Sequence, residues 1–372
     1  MESKNGTRSI LIIRLGAIGD VIRTLPALAL LKSLIPESRL AYLTEEGSFS
    51  LLKGSPALEK VILFPRKRLA SLIKNPLGFT LALKESLDFL KNLRKERFDA
   101  VLDMHGIFKS GLLAFFSGAP LRLGFSKKNT KEFNHCFLNA LIEPFPSSQT
   151  RVSKNLDLVL GLTDPITRTS RSLPYPSLPI SLGLDPKERE RIAPYLKRLA
   201  EIRAMDTPIV VFNPFVSKRG GYKAWPLGHY AKLSRILKEQ LKAFVAVSHG
   251  PGEHEQAKRL ERESKGTATL LPETSLKGLL TILSLARVFV TADTGPMHLA
   301  GFSSARIVAL FGPSDPVLNA PMGRNPILIH KKTPCAPCRE RKCLVRVCMR
   351  RITPEEVFDR IQGLLQEKAP VE

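Results

Sequence analysis

The sequence predicts an α/β protein with two doubly wound domains in tandem, each built on a mainly parallel sheet, and a cleft between them. Three observations support this fold class. Short apolar runs alternate with segments of helical periodicity along most of the 372 residues. The first run leads into a glycine-containing turn at residues 16–20 and then into a helical pattern. The alternation stops once, at about residues 164–186, where prolines gather among serines and threonines as in a linker.

The first half of the chain supplies the elements of one domain, which we place at residues 1–175. Apolar runs predict strands at residues 10–13, 40–43, 60–64 and 100–103. The segment at residues 81–93 predicts an amphipathic helix, because leucines recur there at helical spacing. These leucines are Leu83, Leu87, Leu90 and Leu93.

The second half repeats the alternation, and we place a second domain at residues 186–350. The predicted strands lie at residues 208–212, 243–247, 269–271, 288–291 and 306–311. The predicted helices lie at residues 229–241, 253–264 and 276–286. A closing helix is expected at residues 354–365, because Pro354 suits the first turn of a helix.

Composition and charge limit the classes of function. A hydrophobic content of 43% argues against disorder, and no window approaches the roughly 20 apolar residues that span a bilayer. The apolar run at residues 10–13 is ended by Arg14 and is too short for a signal peptide, so we expect a cytoplasmic protein. The net charge of +23 favours anionic partners, namely nucleic acid, an anionic membrane or a phosphorylated substrate. We expect no nucleic-acid partner, because no zinc-finger, RRM-type or KH-type signature is present.

The most informative motif follows the predicted strand at residues 288–291. Asp293, Thr294, Gly295 and Pro296 read as a turn that opens into a helix, with Asp293 or Thr294 as the capping residue. The free backbone N–H groups at such a helix start bind anions. The sequence therefore predicts a phosphate site near Thr294 and Gly295.

Three further polar residues follow predicted strands. Asp20 is either a helix cap or a carboxylate placed at the cleft to accept a proton. Lys223 lies in a cationic loop, where it either reaches a pyrophosphate or is simply solvated. Glu253 either caps a helix or accepts hydrogen bonds from a ribose diol. Because ligands of such sheets bind at the carboxyl ends of the strands, these residues predict a site for nucleotide-sugar transfer.

Four cysteines crowd the region near the C-terminus. Their spacing has the density of a zinc or iron–sulfur site, but disulfides or buried thiols fit the pattern equally. We favour a structural role over a redox cluster. The residues are Cys335, Cys338, Cys343 and Cys348.

Several segments resemble glycosyltransferase family 9, the lipopolysaccharide heptosyltransferases. The matching segments are residues 12–28, 103–110, 223–226 and 293–298, and the resemblance runs in family order from about residue 10 to 360. It implies the GT-B fold, with two Rossmann-like domains whose sheets face a central cleft. It also implies that residues 351–372 form a helix crossing back toward the first domain.

The resemblance further implies inverting transfer of a heptose from an ADP-activated donor to the lipopolysaccharide inner core, with no cofactor or catalytic metal required. It makes Asp20 the general base. The donor side would be formed by Lys223, Glu253, Thr274, Asp293, Thr294, Gly295, Pro296 and His298. Glu253 would bind the ribose and Thr274 would line the adenine pocket. Lys109 and Arg122 fit cationic positions on the acceptor side.

Two electrostatic arguments refine these assignments. A carboxylate beside a phosphate would repel it, so we expect Asp293 to organise its loop through backbone N–H groups or His298. The acceptor, lipid A–Kdo or core oligosaccharide, is anionic and lies at the inner membrane. We therefore expect peripheral contact with that anionic surface through basic residues. These residues are Lys60, Arg66–Arg68 and Lys127–Lys131.

Two other functions remain open from the sequence. The first is a family 9-like transferase that uses another nucleotide sugar for a different cell-surface glycan. The second is a non-catalytic GT-B protein that binds an anionic partner. Intact Asp20, Lys223 and Asp293 favour an enzyme.

Overall fold

The computed structural model describes residues 8–74, 78–147, 149–163, 184–323, 325–338, 340 and 342–367. The chain divides into two compact units, Met1–Gly183 and Leu184–Glu372, each with its own sheet and core. Most of the expected linker, residues 164–183, lies outside the described residues. Among the described helices, none is both long and apolar enough to cross a lipid bilayer.

The first unit is built on a six-stranded, fully parallel sheet with the order β3-β2-β1-β4-β5-β6. Its strands are β1 (Ser9–Ile13), β2 (Arg39–Glu45), β3 (Lys60–Phe64), β4 (Ala100–Asp103), β5 (Leu121–Phe125) and β6 (Ala140–Ile142). The central strands β1 and β4 are buried nearly throughout, because helices cover both faces of a parallel sheet. Ile13 pairs in register with Leu43 and Asp103, so the ends of β1, β2 and β4 meet at one edge.

The described helices of the first unit lie between consecutive strands, except α7, which follows the last strand β6. They are α1 (Ile18–Ile22), α2 (Leu25–Leu34), α3 (Glu46–Leu52), α4 (Arg66–Ile73), α5 (Phe79–Lys95), α6 (Phe108–Phe116) and α7 (Arg151–Thr163). Helix α5 includes all of residues 81–93, where the sequence predicted an amphipathic helix. It packs Phe89, Leu90 and Leu93 on the apolar core of this sheet.

The second unit contains another six-stranded parallel sheet with the order β12-β11-β10-β7-β8-β9. Its strands are β7 (Ile209–Asn213), β8 (Phe244–Val247), β9 (Ala268–Leu270), β10 (Val288–Ala292), β11 (Arg306–Phe311) and β12 (Ile327–His330). Its described helices are α8 (Pro186–Ala204), α9 (Leu227–Leu241), α10 (His254–Glu263), α11 (Leu276–Leu283), α12 (Gly295–Ala300), α13 (Val347–Arg350) and α14 (Pro354–Gln366). Buried clusters line both faces of this sheet.

The closing helix α14 packs on its own unit. Val357, Phe358 and Ile361 join the buried cluster on one face of the second sheet, and the helix lies against α9 and β11. The indole N–H of Trp225 donates to the carbonyl of Ile352 at 2.9 Å, which fixes the chain just before the helix. A crossing of residues 351–372 toward the first domain stays a prediction.

Two parallel six-stranded sheets confirm the predicted α/β class, but three of the described strands (β5, β6 and β12) and six of the described helices (α3, α4, α6, α7, α8 and α13) were not foreseen. Strands β6 and β12 are short edge strands, and Arg122 interrupts the apolar pattern of β5. Helix α8 is polar and contains Pro194, which normally argues against a helix interior. Asp185 starts it by accepting hydrogen bonds from the amides of Lys187 and Glu188.

Candidate active site

Asp20 lies in the first turn of α1, just beyond the carboxyl end of β1. Ala17 is the residue before the helix, so Asp20 is not its N-terminal cap. Its carboxylate contacts three guanidinium groups instead. Arg14 Nη2 is 2.8 Å away, Arg23 Nη1 2.6 Å and Arg151 Nη1 3.2 Å. The structure therefore makes Asp20 the centre of a cationic cluster.

The three arginines decide the protonation state of Asp20. Burial raises the pKa of its carboxyl, but the positive charges of Arg14, Arg23 and Arg151 outweigh that effect and hold the pKa well below the ordinary value. The group is therefore an anion throughout the physiological pH range. Such a carboxylate accepts a proton only from a donor that has itself become strongly acidic.

His105 lies just after β4 and bridges to the chain that follows β1. Its Nδ1 accepts the N–H of Leu15 at 3.3 Å, and Arg14 Nη1 donates to the carbonyl of Met104 at 2.6 Å. Burial, together with the charge of Arg14, lowers the pKa of His105 to about 3. The imidazole is therefore neutral, as its acceptor role requires.

Asp103 organises the loop after β4 rather than meeting a substrate. It is fully buried and accepts hydrogen bonds from Asn134 Nδ2 at 2.7 Å and Ser110 Oγ at 2.8 Å. It also accepts the amides of His105 at 2.9 Å and Gly106 at 3.2 Å. Gly106 has a φ of +72°, which favours glycine at this turn. Burial raises the pKa of Asp103, against the effect of these hydrogen bonds.

The two predicted acceptor-side cations differ in their surroundings. Lys109 Nζ lies 2.6 Å from a carboxylate oxygen of Glu45, at the end of β2, and 5.1 Å from the centre of the Phe64 ring. Arg122 lies near the amino end of β5, where its guanidinium donates to the carbonyls of Phe137 at 3.0 Å and Ala119 at 2.9 Å. Its contacts are thus structural, and an acceptor role for Arg122 stays a prediction.

In the second unit, the loop after β10 is held by an ion pair. Lys223 Nζ lies 2.6 Å from Asp293 Oδ2, and His298 Nε2 lies 3.8 Å from Asp293 Oδ1. Asp293 and His298 are buried, whereas Lys223 is partly exposed. Lys223 is thus a close partner of Asp293 that the sequence did not indicate, and His298 adjoins the other carboxylate oxygen.

Thr294 precedes α12, and Gly295 and Pro296 form its first two positions. Thr294 occupies the N-terminal cap position of α12, but its side chain makes no capping hydrogen bond. The hydroxyl of Thr294 lies 3.2 Å from that of Thr291 instead. The Thr294 hydroxyl therefore does not cover the first amides of α12, which lie at the carboxyl edge of the second sheet.

Buried polar side chains link this loop to the ends of two neighbouring strands. Asn213 Nδ2 donates to Thr291 Oγ1 at 3.2 Å, and Ser248 Oγ donates to Asn213 Oδ1 at 3.4 Å. The links run from β10 through β7 to β8, which are adjacent in the sheet. Sequence reasoning missed Thr291, which reads only as the last part of an apolar strand.

Glu253 and Thr274 belong to the loops after β8 and β9. Glu253 Oε2 accepts the amide of Gly250 at 2.8 Å and so closes the turn before α10. The amide of buried Thr274 donates to the carbonyl of His249 at 3.3 Å. Both residues therefore lie at the carboxyl edge of the second sheet, on the two strands beyond β7.

The four clustered cysteines are free thiols in this structure. Cys348 is buried beside Gly312, whereas Cys335 and Cys338 are exposed. Across the part of the chain that the structure describes, no three His, Cys, Asp or Glu side chains are grouped to hold a metal ion. A structural zinc or cluster at Cys335, Cys338, Cys343 and Cys348 stays a prediction.

Two α/β units, each with a parallel six-stranded sheet and polar residues at its carboxyl edge, are the architecture of the GT-B fold class. A family model described as "Glycosyltransferase family 9 (heptosyltransferase)" matches residues 86–348, well over half of the chain. The chain belongs to glycosyltransferase family 9.

Curated relatives and solved structures agree with this family. The chain is 27% identical to lipopolysaccharide heptosyltransferase 1 of Pseudomonas aeruginosa, over 96% of the chain and 98% of that protein. It is 26% identical to lipopolysaccharide heptosyltransferase 2 of Escherichia coli, over 97% and 99%. The structure of the E. coli heptosyltransferase WaaC with ADP matches with a TM-score of 0.71 and 23% identity, over 96% of this chain and 99% of WaaC. A family 9 glycosyltransferase from Veillonella parvula matches with a TM-score of 0.73 and 19% identity, over 97% and 98%.

Proposed function

We propose that the chain is an inverting heptosyltransferase that moves a heptose from ADP-heptose to the lipopolysaccharide inner core, with a lipid A–Kdo type acceptor. Its curated relatives carry the names of lipopolysaccharide heptosyltransferases, and WaaC was solved with ADP and with an ADP-2-deoxy-2-fluoro heptose. The observation that carries the proposal is Asp20, an ionised carboxylate at the carboxyl end of β1 with three arginines around it.

Asp20 would act as the general base. The acceptor hydroxyl oxygen attacks the anomeric carbon, and the bond from that carbon to the diphosphate oxygen breaks. As the new bond forms, the hydroxyl becomes strongly acidic, so that even a carboxylate with a lowered pKa takes its proton. The arginines attract an anionic acceptor and keep Asp20 ionised until that moment.

The donor diphosphate would bind at the edge of the second sheet. An ammonium has three N–H donors; Lys223 directs one at Asp293 Oδ2 and a second, at 3.4 Å, at the carbonyl oxygen of Asp293. The third suits a diphosphate oxygen, together with the amides at Thr294 and Gly295 and the dipole of α12. These groups stabilise the charge that grows on the departing ADP, the role that a divalent cation has in other transferases, so we expect transfer without added metal.

Glu253 and Thr274 suit the nucleoside end of the donor. One oxygen of Glu253 is engaged by Gly250, which leaves the other for a ribose hydroxyl. Thr274 lies in the loop after β9, next to the backbone of His249. Pro296 and His298 support the phosphate site by shaping α12 and by adjoining Asp293.

The acceptor side is the first unit. Lys109 and Arg122 keep their proposed acceptor roles, but exposed Lys127, Lys128 and Lys131 follow β5 directly and are better placed for an anionic sugar or lipid headgroup. Peripheral contact with the anionic inner membrane from the cytoplasmic side follows from the lipid-linked acceptor.

A donor panel tests the function. Purified chain is incubated with a de-acylated Kdo-containing acceptor and ADP-heptose, ADP-glucose, UDP-glucose or GDP-mannose, with and without EDTA, and products are identified by mass. We expect one added heptose from ADP-heptose in both conditions. Transfer from another donor instead would indicate a different nucleotide-sugar specificity. No transfer and no donor hydrolysis would indicate a binding protein.

A further inference from the structure

Helices α4 and α5 present an apolar surface at the β3 edge of the first sheet. Four side chains that would normally be buried are exposed there. They are Ile73 at 60%, Phe79 at 60%, Leu83 at 52% and Leu87 at 49% of their full accessible area. We call these four residues the α4–α5 apolar patch.

The geometry of the two helices brings the patch together. Phe79, Leu83 and Leu87 are spaced four residues apart and form one row along α5. A Cβ on Gly78, at the start of this row, would lie 2.4 Å from the carbonyl oxygen of Leu72, so α5 begins against the end of α4 beside Ile73. Arg68 on α4 also binds both carboxylate oxygens of Glu85 on α5, at 2.8 and 2.6 Å.

The patch does not serve the core of the first unit. Helix α5 packs on the sheet through a different set of side chains, namely Phe89, Leu90 and Leu93. The residues Leu83 and Leu87 therefore widen the apolar face of α5 beyond what the sheet covers. An apolar face of this width indicates a further apolar environment.

Cationic side chains border the patch. Lys84, Lys91 and Lys95 form the neighbouring row on α5, and Lys74 follows Ile73; all four are exposed. Asp88 is the exposed acidic residue on this side of α5, so the border stays positive. By contrast, three basic residues of the expected membrane-binding set have acidic partners within the unit: Lys60 with Glu96, Arg66 with Glu45 and Arg68 with Glu85.

We infer that the α4–α5 apolar patch inserts into the surface of an anionic lipid membrane. An apolar helix face bordered by lysines lies at such an interface with its apolar side chains about 5–10 Å deep, while the lysines reach the headgroups. The positive border and the net charge of +23 match an anionic lipid surface. The inference rests on the proposed function, because a lipid-linked acceptor brings the enzyme to such a surface.

The salt dependence of vesicle binding distinguishes insertion of the patch from electrostatic attraction to the headgroups alone. Full-length wild type and the double variant Leu83→Ser/Leu87→Ser are sedimented with vesicles of phosphatidylglycerol and phosphatidylethanolamine. In 1 M NaCl the Debye length is only about 3 Å, so headgroup attraction is largely screened. We expect wild type to keep measurable binding there and the double variant to lose at least about tenfold in partition coefficient, because two leucines no longer leave water.

A matched control uses two apolar residues of the second unit that are even more exposed, Met205 at 76% and Leu344 at 87%. The variant Met205→Ser/Leu344→Ser removes two such side chains, and we expect it to bind vesicles like wild type. Wild-type binding that disappears fully in 1 M NaCl, or equal losses in both double variants, would overturn the inference.

A fluorescent probe keeps the test independent of the double variant's folding. The chain has one tryptophan, the buried Trp225, so Leu83→Trp adds a single exposed reporter. We expect vesicles to shift its emission to the blue and lipids with brominated chains to quench it. An unshifted spectrum while the protein sediments with vesicles would contradict insertion. A self-association that Leu83→Ser/Leu87→Ser abolishes without changing vesicle binding would assign the patch to a second copy of the chain instead.

Activity on a de-acylated, water-soluble acceptor separates this inference from the proposed function. We expect the double variant to match wild type on that acceptor and to fall behind on the same acceptor anchored in vesicles. If wild type transfers heptose to neither acceptor, the proposed function is wrong. The sedimentation result would then still decide whether the patch inserts into membranes.

Discussion

At the scale of single residues, Asp20 is held as an anion by the guanidinium groups of Arg14, Arg23 and Arg151. The contacts of Arg14 and Arg23 follow from their short spacing in sequence, because Arg23 is one helical turn from Asp20. Arg151 is 131 residues away, and the packing of α7 on α2 brings it there. No sequence spacing predicts such a contact.

His105 makes the folding stability depend on pH. Burial lowers its pKa to about 3 in the folded chain, against about 6.5 in the unfolded chain, so its stabilising contribution is complete above pH 6.5 and is lost as the pH falls. Between pH 6.5 and 5 we expect wild type to lose about 1.5 kcal/mol more unfolding free energy than His105→Asn. Urea unfolding at several pH values measures this difference. Parallel curves for the two proteins would show that His105 is not held neutral.

At the scale of elements, the strands that carry the site were the ones best predicted. Strands β1, β4, β7, β8 and β10 lie inside their sheets, where both faces are covered and an unbroken apolar run results. The sequence predicted that the loops after these strands lie at the carboxyl edges of their sheets. It did not predict the hydrogen bonds between them, because a bond such as that from Asn213 to Thr291 joins segments far apart in sequence.

Variants of the Lys223–Asp293 pair can distinguish two roles, donor binding by Lys223 and organisation of the loop by Asp293. We expect Lys223→Met to raise the donor KM at least about tenfold, because a charge-assisted contact to phosphate is lost. We also expect a loss of roughly 2–3 kcal/mol in stability, because Asp293 stays buried without its ion-pair partner.

Asp293→Asn is the matched change on the other side of this pair. It keeps the shape of the loop and releases the lysine, so we expect a donor KM no higher than that of wild type. Adding Asp293→Asn to Lys223→Met should recover stability but not donor binding. Steady-state kinetics and thermal unfolding of the three variants measure both effects. A donor KM raised equally by Asp293→Asn and Lys223→Met would contradict the division of roles.

At the scale of the whole molecule, each unit has its own sheet and buried clusters, which is the property of an independent domain. We expect a fragment of residues 184–372 to fold alone and to unfold cooperatively in calorimetry, because α14 and Trp225 complete its core. The fragment should bind ADP, whose expected contacts all lie within it. A fragment that melts without a cooperative transition would contradict this domain division.

The central claim is that Asp20 is the general base. The rate of heptose transfer from ADP-heptose to a de-acylated acceptor tests it. For Asp20→Asn we expect kcat to fall about 10²- to 10⁴-fold, the range for a lost general base, with no rise in acceptor KM because the three arginines stay. Glu59→Gln, which neutralises a surface carboxylate paired with Arg39, is the charge control and should match wild type. Transfer by folded Asp20→Asn within a few-fold of wild type would contradict the account.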